Sequence, residues 1–316
     1  MVLVRRMGKR DGYIVIFVMF GIMKQETSVH GHPSPTMIRI QDNYPENLDT
    51  VYPAKIQTIW VYRVRAFDTF PGLKHAIFTR RGGVSPSPFR SLNLSVSVGD
   101  NPQTVQKNFS DACHAVSVPP EKTVSSHLIH GADVLTIDAS NRRPVIGQAD
   151  ALITAEPGVY LFMRFGDCTP LLFFDPTRNA VGLAHAGWRG TMQNAAGATV
   201  EAMIDRLGCE AENIIAVIGP AIGPCCYEVG PEVMTAASQT FDKAERLFTY
   251  PNGPEQRAHF DLWEANRQQL IKAGVRQIIG SELCTACHTD DFFSHRAEKG
   301  RTGRFGVIIG LEEKNE

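Results

Sequence analysis

Residues 159–190, VYLFMRFGDCTPLLFFDPTRNAVGLAHAGWRG, decide how this chain is read. Three apolar runs, at 159–165, 171–175 and 181–185, have strand length and are separated by turns. Gly166 and Pro170 punctuate the first turn, and Gly187 and Gly190 the last. Asp167 and Cys168 follow the first run, and His185 closes the third. A thiol and an imidazole at neighbouring strand ends, beside glycines that let a ligand approach the backbone, make two arms of one site. The competing reading is a buried free cysteine and a hydrogen-bonded core histidine.

Working outward, the alternation in IQTIWVYRV (56–64) predicts a strand, as does HAIFT (75–79). Residues 80–102, dense in Gly, Ser, Pro and Asn, form a loop long enough to be functional. A short helix is expected over 105–116, a strand over 127–137 broken at His130 and Gly131, and another strand over 150–154. Beyond Gly190, Thr191 is positioned to cap a helix to about Leu207. A strand at 214–218, a helix near 232–241, and a helix opened by Asp261 with Glu264 follow. Strands at 275–279 and 305–310 complete the chain. Strands and helices mix without βαβ alternation, so the expected fold is α+β: mixed β-sheets layered with helices in a single large catalytic domain over 56–316.

Residues 1–55 read as an extension, with 41–53 a polar lead-in. Arg5, Arg6, Lys9 and Arg10 precede an apolar run at 13–23 that is too short to span a bilayer but suits a signal peptide. No small-x-small cleavage site follows. The competing explanation is a start assigned too far upstream, with translation beginning near Met37, and a cytoplasmic protein is the expectation.

Composition narrows the partners. In 316 residues, 43% hydrophobic and 21% charged, Lys+Arg 32 against Asp+Glu 33 leave a net charge of −1 with no basic stripe. Neither nucleic acid nor a membrane is an expected partner. Seven cysteines, an odd number with two adjacent at 225 and 226, do not form a disulfide framework and fit reduced thiols or metal ligands.

His130, Cys168 and His185 together supply two imidazoles and a thiolate. That set suits zinc, with the fourth tetrahedral position left for water. The segments TRRGGVSPSPFRSLNL, HG at 130–131, DCTPLLFFD, HAGWRG, GPAIGPCCYEVG, FFSHR and TGRFG occur in that order. Over 75–311 the chain thereby resembles the polyphenol oxidase or laccase-like family, now regarded as zinc-dependent purine nucleoside phosphorylases and also called peptidoglycan-editing factors. The resemblance implies His130, Cys168 and His185 as zinc ligands. It also implies phosphorolysis of adenosine, inosine, guanosine and methylthioadenosine, with adenosine deamination as a second activity. Leu128 and Ile129 replace the family's usual Gln-Val, and Phe165 and Gly166 its Thr-Ala, which bears on substrate preference.

Phosphate calls for Arg forks and backbone N–H groups. The candidates are Arg80 or Arg81, Arg189, Arg296 and Arg304, with Asn93 as a further substrate-binding residue and Asp167 as a proton shuttle. The rival reading is a metal-free Cys–His hydrolase acting on an amide, as in peptidoglycan editing, with Cys168 as nucleophile, His185 as base, and Asp167 or His130 as orienting group. A vestigial site on a partner-binding surface is a third. Copper oxidase chemistry fits less well, since the chain's His-x-His motif, His30 and His32, lies in the tail. CTACH at 284–288 matches a haem-attachment pattern, but small buried thiols at Cys284 and Cys287 are the expectation.

Overall fold

The computed structural model describes residues 48–251, 253 and 256–313. The signal-like segment and Met37 lie outside them. The strands are β1 (Val51–Ile56), β2 (Ile59–Val64), β3 (Leu73–Phe78), β4 (Thr123–His127), β5 (Val134–Thr136), β6 (Val145–Gln148), β7 (Ala151–Thr154) and β8 (Tyr160–Phe165). They continue with β9 (Thr169–Asp175), β10 (Ala180–Ala186), β11 (Ile215–Ile218), β12 (Phe248–Thr249), β13 (His259–Phe260), β14 (Gln277–Gly280) and β15 (Phe305–Leu311). The helices are α1 (Arg65–Asp68), α2 (Pro102–Ala115), α3 (Trp188–Met192), α4 (Ala195–Leu207), α5 (Pro231–Thr240) and α6 (Leu262–Lys272).

Two mixed sheets dominate, in the orders β1-β2-β3-β15-β8-β4-β6 and β14-β11-β9-β10-β7-β5. Period-two alternation explains their stacking. In β8, Leu161, Met163 and Phe165 face the second sheet, where they meet Leu172 and Phe174 of β9 and Val181 and Leu183 of β10. The opposite residues, Tyr160 and Phe162, pack with Ala112 and Cys113 of α2. On the far side of the second sheet, Leu171, Phe173 and Ala184 meet Val200 and Met203 of α4 and Leu270 of α6. The result is helix, sheet, sheet, helix: the expected α+β fold. Strands with both faces covered read as the continuous apolar runs seen in the sequence.

Several local expectations need correction. IQTIWVYRV is not one strand, because Gln57 takes a positive φ of 55° and turns the chain so that β1 and β2 pair as a hairpin. Ordered structure therefore begins before Ile56 and takes in part of the expected lead-in. The strand expected over 127–137 is two strands in different sheets, β4 and β5. Thr191 does not cap a helix. It lies inside α3, and Asn194, at φ 64°, breaks the path before α4. Asp261 does cap α6, accepting from the Glu264 N–H at 2.9 Å.

The topology sets up the site. The chain leaves the first sheet at the end of β8 and enters the second at β9, and residues 166–168 make that crossing. Residues 128–133 make a second crossing from β4 to β5. His185 in β10 pairs with Pro170 in β9, so the third donor sits beside the first crossing.

Gly310 marks how closely β15 and β8 pack. A Cβ there would lie 2.4 Å from the Val159 carbonyl oxygen. Gly310→Ala should destabilise the fold by about 1–3 kcal/mol through overpacking, read as a lower urea midpoint. An unchanged midpoint would show that the strands separate freely at this point.

Candidate metal centre

His130, Cys168 and His185 converge, with their possible ligand atoms all within 4.8 Å of one another. The two imidazoles meet edge to face with centroids 5.1 Å apart. Phe165, at the end of β8, lies against His185 with ring centroids 5.4 Å apart.

The carboxylate of Asp150 organises this group. Its Oδ1 accepts from His185 Nδ1 at 2.9 Å, while its Oδ2 accepts from the backbone N–H groups of Ile129 at 3.0 Å and Gly131 at 2.8 Å. Asp150 is fully buried. The same residue's carbonyl also accepts from the His185 N–H at 2.7 Å. One side chain thus fixes the tautomer of His185, leaving Nε2 for the cluster, and clamps the loop that carries His130. A carboxylate behind a ligating histidine is the usual outer support of metal sites.

The backbone accepts strain to hold these positions. His130 and Asp167 have positive φ, 59° and 93°, each costing on the order of 1–3 kcal/mol for a non-glycine residue. Glycines make the remaining room: a Cβ on Gly187 would lie 2.9 Å from Cys168 Sγ, and one on Gly190 would lie 2.7 Å from the Gly131 carbonyl.

Electrostatically the cluster is a charged pair. Burial works against a thiolate at Cys168, yet the His185 charge and hydrogen bonds from both histidines bring it down to about 6. Burial likewise opposes a charged His185, but the Cys168 thiolate and Asp150 raise it to about 9. Burial also opposes ionisation of Asp150, and bonds from His185, Gly131 and Ile129 still hold its carboxyl below the usual range. Two imidazoles and a ready thiolate are a donor set that could hold a metal ion.

The cluster opens into a cavity of about 830 Å³, lined by His130, Asp167, Cys168, His185, Arg296 and Arg304 among others. Asp167 lines it with both oxygens engaged: Oδ1 accepts from Thr285 Oγ1 at 2.7 Å and Oδ2 from the Arg296 N–H at 2.6 Å. Arg296 donates to the Glu228 carbonyl at 2.8 Å and lies over the Tyr227 ring. Arg304 donates to the Gly303 carbonyl at 2.8 Å. Arg164 of β8 reaches the same cavity, donating to Leu94 O at 2.5 Å and Ser125 Oγ at 3.3 Å. Among the described residues, none of these three arginines has a carboxylate ion-pair partner.

Other candidates sit elsewhere. Arg80 pairs with Glu298 at 3.1 Å and lies over Phe293, and Arg81 pairs with Asp291 at 2.9 Å; both face a different hollow. Asn93 is fully buried; its side chain donates to Ser95 O and Asp100 and accepts from the Ser95 and Arg304 N–H groups. It holds Arg304 and does not face the cavity. Arg189 is exposed over the Trp188 ring, outside the cavity lining. The sequence alone does not point to Asp150, Arg164 or Tyr227 as site residues. Asp150 and His185 are 35 positions apart, and nothing local marks their bond.

Residues 74–312 match the family described as multi-copper polyphenol oxidoreductase laccase. The chain belongs to that family. A member named purine nucleoside phosphorylase YlmD, from Geobacillus stearothermophilus, is 39% identical over 254 residues, covering 78% of this chain and 92% of the relative. Purine nucleoside phosphorylase YfiH of Escherichia coli is 39% identical over 237 residues, covering 74% and 91%. The crystal structure of YlmD from G. stearothermophilus is similar with a TM-score of 0.78 at 37% identity, spanning 84% of this chain and 100% of that one. Among the described residues no helix is long and apolar enough to cross a membrane.

The Cys168 environment sets a pH expectation. In chelator-stripped protein the thiolate should appear as pH rises through about 6, so iodoacetamide labelling of Cys168, read by peptide mass spectrometry, should have its midpoint there. A midpoint near 9, the value of an unperturbed thiol here, would contradict the charged-pair description.

Proposed function

We propose that this chain is a zinc-dependent purine nucleoside phosphorylase taking adenosine, inosine, guanosine and methylthioadenosine, with adenosine deamination as a second activity of the same cavity. The observation that carries the proposal is the His130, Cys168 and His185 cluster opening into a cavity edged by arginines without carboxylate partners. The names of its relatives supply the reaction class. The cavity's volume suits a nucleoside beside phosphate.

Cleavage of an N-glycosidic bond with phosphate needs an anion site, a sugar held in line, and help for the departing base. Arg164, Arg296 and Arg304 offer the anion site, and Ser125 and Ser126 add hydroxyls along the same wall. A phosphate entering there gives these guanidiniums the counter-charge they lack within the fold. Leu128, Met163, Ile222 and Tyr227 present surfaces on which a purine can lie. Leu128 stands where the family usually has Gln, so this wall is where the chain's substrate preference would depart from its relatives'. Zinc, held by His130, Cys168 and His185, would supply a Lewis acid and lower the pKa of bound water. Asp167, with both oxygens engaged, we assign to holding the Arg296 segment and not to proton transfer. The donor types favour zinc over the copper of the family's description: among the described residues the other group able to hold a metal is four cysteines, not the histidine-rich centre a multicopper oxidase needs.

A second reading has its own support. Cys168, His185 and Asp150 are ordered as nucleophile, base and orienting carboxylate, so a metal-free amide hydrolase retains a specific observation in its favour. The orienting group would then be Asp150, not the Asp167 or His130 anticipated from sequence.

Cys168→Ser separates the two. Under the zinc reading, metal content and nucleoside phosphorolysis fall together, phosphorolysis by at least on the order of 10-fold, and added zinc restores part of both. A variant that keeps its zinc yet is inactive would remove Cys168 from the ligand set and favour the nucleophile.

A further inference from the structure

The geometry points to a second metal site, a tetrathiolate zinc centre formed by Cys225, Cys226, Cys284 and Cys287, which pins a loop of the cavity wall to the loop behind it. The four sulfurs lie within 4.8 Å of one another. Cys287 Sγ is 3.5 Å from Cys225 Sγ and 3.4 Å from Cys226 Sγ. A disulfide needs about 2.05 Å, and all four thiols are free. Tetrahedral zinc, with Zn–S bonds of about 2.3 Å, places its sulfurs about 3.8 Å apart. Those two spacings fall a few tenths of an ångström short of that edge, so a zinc ion needs only small side-chain adjustments.

Simple packing does not account for the cluster. Cys284 is buried as expected of a small apolar thiol, but Cys287 and Cys225 are exposed, which corrects the sequence-based expectation for Cys287. Thiols that pack as hydrophobes have no reason to gather at a surface. The backbone is also arranged for ligation. Cys284 and Cys287 form a C-x-x-C turn, with the Cys287 and His288 N–H groups bonded to the Cys284 carbonyl at 3.1 and 3.0 Å. The Gly223 N–H points at Cys284 Sγ at 3.3 Å. Donation of this kind to sulfur is the outer support that thiolate ligands receive.

The two turns meet back to back. Ala221 bridges Cys284, with the Ala221 N–H bonded to Leu283 O at 3.2 Å and the Thr285 N–H to Ala221 O at 3.0 Å. Of the residues beside them, Ile222 and Tyr227 line the cavity. Ile222 donates to the Asp167 carbonyl at 2.9 Å, Thr285 holds the Asp167 carboxylate, and Tyr227 follows Cys226 directly. This ion is structural: four protein ligands leave no open position for substrate. On binding, the thiols lose their protons to solvent, each forming one Zn–S bond, with no change of oxidation state.

The test uses the full chain purified under reducing conditions and loaded with zinc, then desalted. Metal analysis should find about two zinc per chain, halved by Cys287→Ser or Cys225→Ser, halved also by Cys168→Ser, and nearly abolished when Cys287→Ser and Cys168→Ser are combined. Should a variant misfold, the unsubstituted protein still decides. In it, Cys225 and Cys287 should resist iodoacetamide despite their exposure and become labelled once a chelator has stripped the metal. About one zinc per chain, unaffected by Cys287→Ser, with Cys225 and Cys287 labelled at once, would overturn the site. So would a Cys226 to Cys287 disulfide in the reduced, zinc-loaded protein.

Discussion

The carboxylate of Asp150 is the constraint on which the site depends. It is buried, ionised and bonded to three N–H donors, one from the His185 ring and two from the loop around His130. A buried charge left without such donors would cost several kcal/mol, so the donors and the carboxylate fix one another. His130, with its positive φ, has no regular strand or helix to hold it, and this clamp does so instead. The strain at His130 and Asp167 is therefore local, held by hydrogen bonds from the surrounding fold.

The sheets explain why the donors meet. Three connections run from the first sheet to the second, and each delivers a member of the site: His130 after β4, Asp150 between β6 and β7, and Cys168 after β8, while β10 brings His185 beside them. Backbone at a crossing leaves the hydrogen-bonded ladder, so its side chains point into the opening between the sheets and not onto a covered face. The apolar cluster between the sheets closes the opening from below, leaving the cavity to one side. Arg164 reaches the cavity from the other face of β8: it lies over the Phe162 ring and donates to Leu94 O, and it still lines the cavity.

Much of this was legible in the sequence. The three central strands, α2, α5 and α6, and the layered α+β class follow from apolar period and capping residues. The candidate trio of His130, Cys168 and His185, which could hold a metal, follows from its strand ends and from family motifs. What was not legible depended on contacts between distant segments. Asp150 looks like an ordinary residue before a strand, and only the fold shows its partners. Asn93 and Arg80 sit in a loop whose composition suggests function, yet the structure uses their polar groups to hold that loop to residues 289–304. A single positive φ at Gln57 turned an apparent strand into a hairpin, and Asn194 divided an apparent helix; neither residue type announces that conformation by itself. The four cysteines lie in two motifs some sixty positions apart, and their convergence is a property of the Ala221 to Cys284 bridge.

The account's central claim is that the metal centre and the arginine-edged cavity together transfer a nucleoside's sugar to phosphate. The direct measurement is to incubate the zinc-loaded full chain with inosine in the presence and absence of phosphate, following hypoxanthine and ribose 1-phosphate. The account predicts base release that depends on phosphate, with the two products formed in equal amounts. Base release indifferent to phosphate, or none from any purine nucleoside while the protein holds its zinc, would contradict it.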